Sequence, residues 1–142
     1  YARFLFEKSV FEHIEEGFLN AKQLCELMKE ALNKSFGDGL DKNWIHPYRW
    51  ITKVHYYIPD IAYYNFPYTF GALFSRGLYV KFKKEGTSFI PKYEKLLAAT
   101  TTNTCENVAS MADINIEEES FWQESLQSIA EQIQDFLKEL SA

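Results

Sequence analysis

The sequence has no C-x-x-C, no G-x-G-x-x-G, no P-loop, no G-x-S-x-G and no H-E-x-x-H. These absences remove a dithiol redox centre, dinucleotide and nucleotide phosphate cradles, a serine nucleophile elbow and a self-contained metalloprotease helix. Its two cysteines, Cys25 and Cys105, lie far apart and read as reduced core thiols rather than a disulfide framework. There is also no block of Lys or Arg. Fifteen basic against twenty acidic residues give a formal charge of −5 and a pI near 5.2, which argues against nucleic acid or an anionic membrane as partner. The longest charge-poor run is no membrane span, because Pro59, Asp60, Asn65 and Pro67 interrupt it. Neither end shows a signal-peptide pattern, and the location expected from sequence is cytoplasmic.

Aromatic residues are abundant instead, at 17% of 142 residues. Such a length carries one domain with a real core. No stretch alternates with the period of a strand, and the chain reads as an all-α, multi-helix bundle. It begins YARFLFEKSVFEHI, without Met and already in helical register, and is expected to continue a helix that started upstream.

Residues 2–18 are predicted helical. Asn20 with Gln23 forms a capping box for a second helix that Gly37 stops, so residues 1–40 are expected as a helical hairpin. Residues 43–86 are expected to hold a short helix from Pro47 to Tyr57 and an aromatic, cleft-lining segment. A helix capped by Asn65 should follow, running to Gly86. The first half of that helix is apolar nearly all round, which predicts burial on every side. Residues 87–142 supply the last helices: one from Ser88, a short one over Thr104–Met111, and a final one for which Ser120 and Gln123 form a second capping box. Trp122, Leu126, Ile129, Ile133, Phe136 and Leu140 form a single stripe on it.

The three histidines form no local metal motif. His13 lies among glutamates on a helical face without a second imidazole one turn away, and His46 precedes Pro47 in a turn. GDGLD lacks the alternating ligands and distal Glu of a calcium loop. His55 differs by its company. Between Val54 and Ser75 the only formal charge is Asp60, yet Tyr56, Tyr57, Tyr63, Tyr64 and Tyr68 all fall there. A buried phenol needs a hydrogen-bond partner, so a plain core favours Leu, Ile and Val. With a pKa of about 10, phenols remain proton donors at neutral pH and suit a carbonyl oxygen that gains charge in a tetrahedral intermediate. Aromatic core packing is the other reading of the same residues.

WITKVHYYIPDIAYYNFPYTFGALFSRGLYVKFKKEG resembles the C-terminal part of the oligoendopeptidase F branch of the thimet-oligopeptidase-like zinc metallopeptidases. ARFLFEKSVFE, FGDGLD, KYEKLLAAT and FWQESL fit the same pattern, and YYNFPYTFG is the most specific part. The resemblance implies the C-terminal part of a larger helical zincin catalytic domain, from a metalloendopeptidase that hydrolyses short peptides. It implies that His55 holds substrate and stabilises the intermediate, that Tyr64 and Tyr68 reach the scissile carbonyl, and that Tyr57 and Tyr63 contact substrate. Zinc and its ligands would belong to the parent enzyme outside these residues, with no metal bound by this part alone. The expected partners are then oligopeptide substrates and the missing N-terminal portion of the same polypeptide. The isolated part is expected to be inactive and to self-associate through surface that the rest would cover. A non-catalytic helical module that binds a peptide or partner helix in its aromatic groove is the alternative.

Overall fold

The computed structural model describes residues 1–141. Helices, turns and irregular connections account for all of them, with no strand among the described residues, so the chain is all-α. It divides into two compact units, Tyr1–Thr69 and Phe70 onward. The boundary falls inside one helix, Phe66–Glu85.

In the first unit α1 (Ala2–Ile14) packs on α2 (Ala21–Phe36). α1 ends four residues earlier than its pattern predicts. Glu15 and Glu16 follow Ile14 at the negative end of the helix dipole, and Gly17 takes a φ of 144° that no helix continues. His13 is exposed, with Nδ1 2.7 Å from the Ser9 carbonyl. α2 starts as expected: the Gln23 N–H donates to Asn20 Oδ1 at 3.1 Å, and the Asn20 N–H donates to Gln23 Oε1 at 3.0 Å. It stops at Gly37, whose φ is 53°. Phe6 from α1 meets Met28, Ala31 and Leu32 from α2 in the core, with Leu40, Ile45, Trp50 and Tyr56 packed around them.

Residues 47–52 form turns and residues 54–57 a 3₁₀ turn, in place of the predicted short helix. Ile51, Thr52 and Val54, all β-branched, disfavour a regular helix there. The Thr52 hydroxyl donates back to the Arg49 carbonyl at 3.2 Å, offering the backbone a local alternative.

α3 (Phe66–Glu85) has the predicted extent, with Pro67 in its first turn, where a backbone N–H has no helical acceptor. The predicted burial of its first half is not found. No residue from 66 to 75 is buried, Tyr68 is 61% exposed, and only Gly77 and Leu78 are buried along the helix. An all-round apolar pattern shows that a helix suits burial, whereas burial itself requires neighbours on every face.

The second unit joins the rest of α3 to α4 (Ile90–Ala99), α5 (Cys105–Ser110) and α6 (Glu119–Leu140). Leu78, Phe89, Leu96, Val108, Ala109, Ala112 and Ile114 are its buried centre, with Phe74 and Phe121 against them. α3 and α6 approach closely at Gly77, where an added Cβ would lie 2.3 Å from the Phe121 ring. Thr104 caps α5 through its side chain. Ser120 does not cap α6. That helix begins two residues earlier, with Glu118 at its N-cap, and Asn115 organises its approach, accepting the Glu117 N–H at 3.0 Å and donating to Glu118 Oε1 at 3.1 Å. Lys84 pairs with Glu124 at 2.8 Å, and Lys92 with Asp113 at 2.8 Å and Glu85 at 3.0 Å. The Lys92 ammonium holds the Asp113 carboxyl below its usual range. The α6 stripe is only partly used: Trp122 and Ile129 are half-buried, while Ile133, Phe136 and Leu140 are exposed. Cys25 is buried but Cys105 is exposed, and both thiols are free. The expectation of two core thiols therefore holds only for Cys25, since Cys105 opens a short surface helix.

Candidate active site

The first unit brings His55, Tyr64 and Tyr68 together. His55 lies on the 3₁₀ turn Val54–Tyr57, Tyr64 just before α3 and Tyr68 in its first turn. The loop between them must reverse direction, and it does so through two non-glycine residues with left-handed backbone, Asp60 (φ 65°) and Tyr63 (φ 57°). Such conformations are disfavoured for residues with a Cβ and persist where surrounding contacts impose them. At Tyr63 those contacts are visible. Its N–H donates to Glu7 Oε1 at 2.6 Å, and its ring sits 5.5 Å from Phe4 and 5.4 Å from Phe11.

The His55 ring lies edge-on to Tyr64 with centroids 4.7 Å apart and is stacked on Tyr68 at 6.0 Å with planes 6° apart. Tyr64 and Tyr68 meet edge to face at 5.9 Å. Both tyrosines are exposed and His55 is half-buried, so the cluster is a wall open to solvent rather than a sealed core. Behind it Asn65, 8% exposed, places Oδ1 3.2 Å from His55 Nδ1. An amide oxygen only accepts, so Nδ1 carries the proton and Nε2 of the neutral ring presents a lone pair. The Tyr68 phenol is pushed above its ordinary range by its hydrogen bond to Tyr64 and by the charge Tyr64 would carry on ionising, with burial adding less.

The other two candidates are placed elsewhere. Tyr57 is exposed and its hydroxyl donates to the Trp50 carbonyl at 3.3 Å. Tyr63 is a packing residue between Phe4 and Phe11. Tyr56, the remaining phenol of the segment, packs on Phe6 at 5.2 Å and donates to the Arg3 carbonyl at 3.2 Å. Burial first, and the nearby Glu7 second, push its ionisation far up. Sequence reasoning missed Glu7 and the His55 contact of Asn65. Asn65 was expected to cap α3, and a hydrogen bond spanning ten positions leaves no periodic trace.

Among the described residues no three of His, Cys, Asp and Glu converge as a metal site. No helix among them is long and apolar enough to cross a membrane. The protein is thus of a class defined by geometry: all-α, with an open His/Tyr wall at the start of a long helix. No family model matches the chain, and neither a curated protein nor a solved structure matches it.

Proposed function

We propose that this chain is one wall of the peptide cleft of a zinc metalloendopeptidase acting on short peptides, with the metal ligands on polypeptide outside these residues. The contact of His55 with both Tyr64 and Tyr68 carries the reading. They are the same three residues that the oligoendopeptidase F resemblance assigns to the reacting carbonyl. Their chemistry suits the role. The phenols of Tyr64 and Tyr68, side by side on the wall, donate to the carbonyl oxygen as it gains charge. His55 Nε2 accepts a substrate backbone N–H while the ring is neutral, and it donates only when the ring is protonated. Tyr64 and Tyr68 are therefore the oxyanion donors and His55 the residue that holds substrate.

Replacing Tyr68 by Phe in the full-length polypeptide is expected to cut turnover about 10²-fold or more, with bound zinc unchanged. Near-normal turnover would remove Tyr68 from the mechanism. A non-catalytic helical binding module is the competing reading, favoured by the exposed apolar end of α6. The reading frame upstream of Tyr1 separates the two. An H-E-x-x-H followed by a distal Glu supports the peptidase, and a start codon without that motif supports the module.

A further inference from the structure

Beside the His/Tyr cluster, the first unit contains a cavity of about 320 Å³ whose lining includes Arg3, Arg49, Lys53, Asn65 and Tyr68 but no carboxylate. Three cations around one cavity are unexpected in a chain of net charge −5. Among the described residues none of the three forms an ion pair, although the chain has eight elsewhere. Arg49 and Arg3 are exposed at the rim and Lys53 is half-buried. A separate observation comes from the wall. Asn65 is more than nine-tenths buried, and its Nδ2 has no hydrogen-bond partner, its Oδ1 being taken up by His55. A buried amide donor left unmade is costly. Three unpaired cations line a space with no carboxylate, so the component that would match it is an anion.

We infer that this cavity binds a carboxylate, and that the carboxylate is the free C-terminus of a short peptide. The planar guanidinium fork of Arg49 or Arg3 matches a carboxylate in two parallel hydrogen bonds, and Lys53 adds a point charge. The choice of a peptide carboxylate rests on the cleft-wall reading. Asn65 and Tyr68 belong to both the cavity and the cluster, so a chain end anchored at the cations places an upstream carbonyl within reach of the two phenols. A fixed anchor for the chain end would make the site select peptides by length as well as by sequence.

The test uses the 142-residue protein with N-acetyl-trialanine as free acid and as C-terminal amide, followed by NMR of labelled Arg and His side chains. The acid is expected to bind at least about tenfold more tightly than the amide, the scale of a charged hydrogen bond. Arg49→Gln/Lys53→Gln, checked for native helicity, should erase that preference. Equal binding of acid and amide, no binding of either, or a preference that survives in the double variant each overturns the carboxylate site. The His55 ring signals separate the two readings. Acid-selective binding that leaves them unmoved keeps the carboxylate site and removes the cleft wall. Equal binding that moves them does the reverse.

Discussion

Glu7 is 94% buried by exposed area, its residue exposure being 6%, and Oε2 has no partner while Oε1 holds the Tyr63 N–H. It stands on α1, yet its effect is on the loop that carries the candidate site, because it fixes the left-handed turn immediately before Tyr64. The acceptor matters more than the charge. Glu7→Ala is expected to destabilise the first unit by about 1–3 kcal/mol, the range for a buried donor left unpaired. Glu7→Gln retains an acceptor oxygen and should recover most of that loss. Urea denaturation followed by helical circular dichroism checks both, and an alanine variant as stable as the parent would show that the turn holds itself. At this scale the legible part of the candidate site was its composition. His55, Tyr64 and Tyr68 stood out because phenols and an imidazole in a charge-free run are unusual. Glu7 did not, since a single Glu on a helix with other glutamates looks like any solvated position.

α3 and α6 cross where the chain has a glycine. Gly77 has an ordinary helical backbone, and its role is the space it leaves: a Cβ there would meet Phe121 at 2.3 Å and Ser125 Oγ at 2.7 Å. Gly77→Ala should therefore destabilise the second unit by about 1–3 kcal/mol, as overpacking does, despite the gain in helix propensity of roughly 1 kcal/mol that an exposed site would show. A thermal midpoint that rises in the variant would mean the two helices separate at little cost. The helices themselves were mostly legible. Asn20, Gln23 and Gly37 carry local signals that the backbone obeys, as do Thr104 and Pro67. The errors fell where a local pattern lost to a neighbour. Ser120 lost the cap of α6 to an approach organised by Asn115, five residues upstream. The helix expected from Pro47 gave way to turns tied by Thr52. The apolar patterns of α3 and α6 mark faces, but a pattern names no partner, and the start of α3 and the end of α6 stand exposed.

Across the whole chain, charge is sorted by position. Between Phe70 and Thr104 six cations face two carboxylates, whereas between Glu106 and Ser141 nine carboxylates face a single lysine. The two stretches meet in the Lys84–Glu124 and Lys92–Asp113 pairs. Between them lies the exposed polar loop Thr101–Thr104, the kind of site where nicking concentrates. One cut after Thr104, followed by release of the acidic piece, would change the formal charge of what remains from −5 to +3. The larger product would cease to bind an anion exchanger and be retained by a cation exchanger at neutral pH. Retention unchanged after a verified cut would mean that the pieces stay together. The acidic helix is thus the counterion of its own protein, and losing it would expose a cationic remnant able to hold polyanions that the intact chain repels.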